Sequence, residues 1–96
     1  MADKLTEQEI DDALSQLHGW TLDDGKLNRE FKFDNFVEAF GFMTRAAIEA
    51  EKMDHHPEWS NVYSRVSVQL VTHSASGITE LDMKLAGIMN ALAGES

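Results

Sequence analysis

Three of the chain's four histidines fall within residues 51–73, EKMDHHPEWSNVYSRVSVQLVTH. Imidazole is the side chain best suited to moving protons near neutral pH without a cofactor. His55 and His56 are adjacent, His73 closes the stretch, and Asp54 stands where a carboxylate would orient an imidazole and stabilise its protonated form. Trp59 offers a flat apolar wall, and Thr72 and His73 end an extended run, as pocket residues often do. Each also has a plain reading: a helix-end cap for the pair, a core indole for Trp59, an exposed strand end for His73. Two imidazoles on opposite sides of a small polar ring would protonate a leaving hydroxyl and collect a proton elsewhere. That chemistry suits a dehydration.

Other chemistries fit less well. Adjacent histidines in extended backbone point to opposite sides, so His55 and His56 do not readily ligate one ion. Neither an H-x-x-x-H pair nor HExxH is present, which leaves a three-histidine zinc site as the metal alternative. No serine sits in a nucleophile elbow, and there is no glycine-rich phosphate loop. With no cysteine there is no thiolate nucleophile, thiolate metal site or disulfide. His18 reads as a helix-end imidazole interacting with the dipole.

The elements that must position these residues are legible around them. Thr6 and Glu9 form a capping box, with Leu5 and Ile10 as a hydrophobic staple, and Ile10, Ala13, Leu14 and Leu17 predict a helix over 7–17. Alternation on both sides of Asp24-Gly25 predicts a β-hairpin over about 20–33, with Asp23 opposite Lys26 and Leu22 opposite Leu27. Asn35 and Glu38 start a helix over 36–52, and Pro57 restricts His56 and stops it near the pair. Its apolar residues cover most of the circumference, more than packing on one sheet requires, and predict a second buried face used for self-association. Val66, Val68 and Leu70 alternate within a strand over 65–72, while Trp59, Val62 and Tyr63 keep another phase that a bulge or short hairpin near Ser64-Arg65 would reconcile. If that segment folds back, His73 returns towards the pair; if it runs straight, it does not. Thr79 caps a last helix with Asp82 at the N3 place and Leu81, Leu85, Ile88 and Leu92 as its core stripe. The order α-β-β-α-β(β)-α predicts an α+β domain spanning 1–96, with helices on one face of an antiparallel sheet.

Composition narrows the partners. Eight Lys and Arg against 17 Asp and Glu give a net charge of −9, which repels phosphate backbones and anionic membranes. Nucleic acid is therefore not an expected direct partner. No apolar run approaches the roughly 20 residues of a membrane span, and MADKLTEQEI lacks an apolar signal core. A cytoplasmic place is expected, with the nucleus added if the source is eukaryotic.

The run EKMDHHPEWSNVY, the later VTH and GITELD, and AFGFMTRAA in the middle helix closely resemble the pterin-4a-carbinolamine dehydratases over nearly the whole chain. The resemblance implies three helices on one side of a four-stranded antiparallel sheet, and so two strands within 59–72. It implies dehydration of 4a-hydroxytetrahydropterin to the quinonoid dihydropterin that a reductase recycles for aromatic amino-acid hydroxylases, with no metal or organic cofactor. It places His55, His56 and His73 in the pterin pocket: His55 and His73 as the acid–base pair, His56 holding substrate, Asp54 orienting imidazoles or binding pterin. Trp59, Val71, Thr72 and Ser74 would line the same pocket. Some relatives carry a hydroxyl and an acidic residue where this chain has Val71 and Ser74, which bears on substrate preference and leaves a pterin-binding regulator without turnover as a further reading. The resemblance also implies homodimers or tetramers, the latter through a helical bundle, and in some animal members a homeodomain transcription factor as protein partner.

Overall fold

The computed structural model describes residues 3–94. Three helices, α1 (Glu7–Leu14), α2 (Phe36–Lys52) and α3 (Glu80–Leu92), accompany four strands, β1 (Thr21–Asp23), β2 (Lys26–Lys32), β3 (Glu58–Val62) and β4 (Arg65–Leu70). The strands form one antiparallel sheet in the order β1-β2-β4-β3. This is the α+β architecture that the order of elements predicts. Strand alternation makes the sheet two-faced. Leu27, Phe31, Val66, Val68 and Leu70 are buried against the helices, and the residues between them carry amides, hydroxyls and charges on the other side. Among the described residues, no helix is long and apolar enough to cross a membrane.

The first hairpin has the predicted register, Asp23 with Lys26 and Leu22 with Leu27. Asp24 (φ 53°) and Gly25 (φ 75°) both take the left-handed conformation that a primed turn demands. The second hairpin is the short one anticipated near Ser64-Arg65. Val62 pairs with Arg65 across Tyr63-Ser64, and Tyr63 adopts φ 51° without being glycine. Asn61 Nδ2 secures that turn by donating to the carbonyls of Tyr63 (3.1 Å) and Arg65 (2.8 Å). Pairing across a two-residue turn joins odd positions to even ones. Trp59 therefore sits opposite Val68 on the apolar face, while Val62 turns to solvent.

Three expectations need correction. The first helix ends at Leu14, not Leu17: Ser15 Oγ donates to the Asp12 carbonyl at 2.6 Å, and Gln16 and Leu17 close i→i+3 turns. A serine that competes for the backbone ladder favours such an ending. His18 consequently lies beyond the helix; its carbonyl accepts from Arg29 and Asn90. The last strand stops at Leu70, and Thr72 instead bridges Gly77. In α3 the deep face is Asp82, Leu85, Ala86, Met89 and Asn90: of the predicted stripe Leu81, Leu85, Ile88 and Leu92, Leu85 is fully buried and Leu92 packs on the core, while Leu81 and Ile88 are only half-buried. The reason is polar: Asp82 and Asn90 are drawn inward by buried donors, Asn90 Oδ1 accepting from Trp20 Nε1 at 2.8 Å and from Arg29 at 2.7 Å.

Helix α2 matches its predicted bounds, with Asn35 capping Glu38 N–H at 2.9 Å. Ala39, Phe42, Ala46 and Ala50 are buried, and Phe42 packs on Phe31 with ring planes tilted by 40° and centroids 4.7 Å apart. The rest of its apolar arc faces outward: Phe36, Val37, Phe40 and Ile48 are exposed, Val37 at 75 %. Met43, in contrast, is half-buried and packs on the core.

Candidate active site

Folding of β3 back along β4 settles where His73 goes. Glu58, at the start of β3, pairs with Gln69, near the end of β4. The chain entering β3 from His55-His56 and the chain leaving β4 through Thr72-His73 therefore lie at one end of the sheet. Just beyond, α3 begins with the Thr79 cap.

The end of α2 sets the pair. Met53 caps the helix, Asp54 takes φ 48°, Asp54 N–H donates to the Glu51 carbonyl (3.1 Å) and His55 N–H to the Ala50 carbonyl (3.0 Å). These two bonds around a left-handed residue constitute a Schellman motif. It is this motif, two residues before His56, that ends the helix, ahead of any restriction from Pro57. After it the backbone is extended and the two imidazoles diverge, His55 buried and His56 exposed, as alternation requires.

His55 is anchored from the helical layer. Its Nε2 lies 2.6 Å from Asp82 Oδ1, and Asp82 is fully buried. The other oxygen, Oδ2, accepts the Thr72 hydroxyl (2.8 Å) and the Thr79 N–H (2.9 Å). Since Thr72 spends its only O–H on Asp82, Thr79 donates to Thr72 Oγ1 at 2.7 Å and accepts from Leu81 N–H. Every oxygen of Asp82 is thus an acceptor, so the His55 ring carries its proton on Nε2 and keeps Nδ1 for other partners. No buried side-chain polar atom among the described residues lacks a partner.

The exposed histidines each take a different carboxylate. His56 Nε2 is 2.8 Å from Glu51 Oε1, one turn back on α2. His73, in a 3-10 turn over His73–Ala75, places Nε2 2.9 Å from Glu58 Oε2, while Lys26 Nζ donates to Glu58 Oε1 at 2.7 Å. These two hydrogen bonds, the lysine's foremost, hold the Glu58 carboxyl below its usual range against a smaller opposing effect of desolvation. Glu58 shares its face with Lys26, the side away from the helices. The two imidazoles at this corner are consequently held from opposite layers.

The remaining expected residues divide. Trp59 is half-buried and packs on the core, one wall of an apolar groove of about 730 Å³ that also includes Phe40, Met43, Ala47 and Ile48. A second concavity of about 670 Å³ lies where Asn28, Glu58, Ser60, Ser67 and Gln69 gather. Neither is lined by a histidine. Val71 packs on the core and Ser74 is exposed in the turn. The Thr72 hydroxyl is occupied by Asp82. Asp54 is exposed and serves the helix end; the carboxylates that hold the imidazoles are Asp82, Glu51 and Glu58. Among the described residues no group of three or more His, Cys, Asp and Glu side chains is arranged to hold a metal ion.

Asp82, Glu51 and Glu58, the last braced by Lys26, are the residues that sequence reasoning missed as histidine supports. Asp82 was visible as a cap, and its second oxygen was the available hint. Its contact with His55 spans 27 residues, and that of Lys26 with Glu58 spans 32, beyond any local pattern.

Residues 3–92 match the family model described as pterin 4 alpha carbinolamine dehydratase. Relatives from Brucella ovis and Brucella canis, provisionally named pterin-4-alpha-carbinolamine dehydratases, are 57 % identical over 93 residues, 95 % of this chain and 96 % of theirs. A crystal structure from Brucella melitensis described as a transcriptional coactivator/pterin dehydratase superposes with a TM-score of 0.93 at 56 % identity, covering 96 % of this chain and 100 % of that one. A pterin dehydratase-like protein identified as a RuBisCO assembly factor in the alpha-carboxysome shares the fold, with a TM-score of 0.72 at 23 % identity over 82 % of this chain and 94 % of its own.

Three donors converging on Asp82 make Asp82→Asn a sharp test of this corner. The amide oxygen can keep the Thr72 and Thr79 donors only with its N–H turned to His55, whose Nε2 must then give up its proton and accept, and the charge-assisted bonds of the carboxylate are lost. We expect a loss of about 1–3 kcal/mol in urea unfolding; an unchanged midpoint would contradict the arrangement.

Proposed function

The chain belongs to the pterin 4 alpha carbinolamine dehydratase family, and on that footing we propose that it dehydrates 4a-hydroxytetrahydrobiopterin to quinonoid dihydropterin and water. The C4a–O bond breaks, the leaving oxygen takes a proton and departs as water, and a ring nitrogen gives up its own proton. His55 and His73 act as the acid–base pair. The observation that supports this most is that each has Nε2 on a carboxylate, which leaves Nδ1 of both for proton traffic at one end of the sheet. A histidine fixed this way is a general acid or base whose direction is set before substrate arrives. His56 holds the substrate, Trp59 provides an apolar wall, and Asp54, Val71, Thr72 and Ser74 border the pterin, Val71 and Thr72 through their backbone. No step calls on a metal or organic cofactor. The product feeds tetrahydrobiopterin recycling for aromatic amino-acid hydroxylases in the cytoplasm.

Stopped-flow dehydration of synthetic 4a-hydroxytetrahydrobiopterin tests this, with the spontaneous rate subtracted. His55→Gln keeps an N–H for buried Asp82, and His73→Ala removes an exposed ring. We expect wild type to accelerate water loss and the double variant to lose about 10²-fold or more of that acceleration. Equal rates for wild type and double variant would overturn the mechanism.

A second reading draws on the outward face of α2, where Phe36, Val37, Phe40 and Ile48 are exposed and the Phe36 and Phe40 rings touch. Such a surface on a small chain marks a protein contact. We assign it to self-association into dimers or tetramers, and a transcription-factor partner would compete for the same residues. Met43 is half-buried against the core, so a charge there would disturb packing as well as assembly. Phe40→Glu with Ile48→Glu should move sedimentation towards the monomer while leaving circular dichroism unchanged. A monomeric wild type, or an assembly indifferent to both charges, would remove this reading.

A further inference from the structure

His73 presents a problem that the pairing of its ring with Glu58 addresses. Its side chain is 76 % exposed, and an exposed imidazole at the end of a strand samples many orientations. A single exposed ion pair adds little to stability, so the contact is poorly explained as a staple of the fold. Its consequence is directional.

The geometry around Glu58 is that of a clamp. One carboxylate oxygen accepts from Lys26 Nζ at 2.7 Å and the other accepts from His73 Nε2 at 2.9 Å. The lysine comes from β2 and the glutamate from β3, with β4 running between them. Lys26 must therefore reach over β4 across the helix-free face. It is placed to do so by the Asp24-Gly25 turn immediately before it, which fixes the start of β2. Glu58 is tied at both oxygens and cannot rotate without breaking a charge-assisted bond. Its own backbone is held by pairing with Gln69.

We propose that Glu58, braced by Lys26, is the positioning residue that presents His73 for proton transfer, an inference resting on the dehydratase reading above. Glu58 keeps the His73 proton on Nε2 and turns Nδ1 to the substrate, as Asp82 does for His55 from the opposite layer. Lys26 keeps Glu58 an acceptor as the medium becomes more acidic. The sign follows from the causes already given: a carboxyl with a depressed pKa stays ionised to lower pH, and removing the lysine lets it protonate at higher pH. The other charged groups on this face are Asp23, the cross-strand partner of Lys26, and Glu30, held by Ser67, with Lys32 and Arg65 at the far end of the strands.

The test combines stopped-flow dehydration, urea unfolding and a double-mutant cycle on the full chain. Glu58→Ala should lower kcat by about tenfold with KM nearly unchanged, and leave the urea midpoint in place because the pair is exposed. Lys26→Met should cost less at neutral pH, with the deficit growing as pH falls, and its carbon-13 carboxyl titration of Glu58 should move to higher pH. Neither change should add to His73→Ala, since both act through that ring. Full kcat in Glu58→Ala, a KM effect alone, or additivity with His73→Ala would overturn the proposal while leaving the dehydratase reading standing. No acceleration by wild type would instead remove the dehydratase reading, and this inference with it.

Discussion

The Asp82 carboxylate is the contact on which the rest of this corner depends. It is fully buried, and it gathers the His55 ring, the Thr72 hydroxyl and the Thr79 N–H. Those three groups come from the chain after α2, the chain after β4 and the start of α3. A carboxylate taken out of water needs such donors, because an unpaired buried charge is expensive. The same requirement that caps α3 therefore fixes an imidazole. Imidazole placement and helix capping share one side chain, so neither is free to vary alone.

On the open face the solution differs in strength. Glu58 lies in solvent's reach, and hydrogen bonds from Lys26 and His73 hold its carboxyl below the usual range. One imidazole is thus held by a buried network that packing protects, the other by surface charges that salt and pH reach easily. A hydrophobic core running from Leu27 to Val68 and Met89 separates the two anchors. The sheet acts as a spacer. Its second hairpin returns His73 to the end of the sheet at which β3 begins, and a single Tyr63-Ser64 turn determines that return.

How much of this was legible depended on the range over which each signal operates. Asn35 and Glu38 mark the start of α2 because capping is local, and Asp24-Gly25 specifies its turn because two consecutive left-handed residues demand it. The divergence of His55 and His56 followed from alternation alone. The three histidines were visible by type, and the family resemblance proposed their grouping. Their carboxylate partners were not visible: Asp54 stood next to the pair in sequence, while Asp82 reaches His55 and Glu58 reaches His73 only through folding. The overlong first helix has the same origin: Leu17 kept helical spacing, but Ser15 and the need to bring Trp20 onto Asn90 turned the chain earlier. In α3 the apolar stripe found Leu85 but not the rest of the inner face, because two polar residues, Asp82 and Asn90, share it and leave Leu81 and Ile88 half-buried.

The measurement closest to the central claim is a crystal structure with a non-reactive oxidised biopterin bound. The pterin ring is expected at the end of the sheet between the Nδ1 atoms of His55 and His73, with His55 still on Asp82 and His73 still on Glu58. A ring seated in the apolar groove beside α2 or on the polar concavity around Asn28 and Gln69, with the imidazoles untouched, would contradict it.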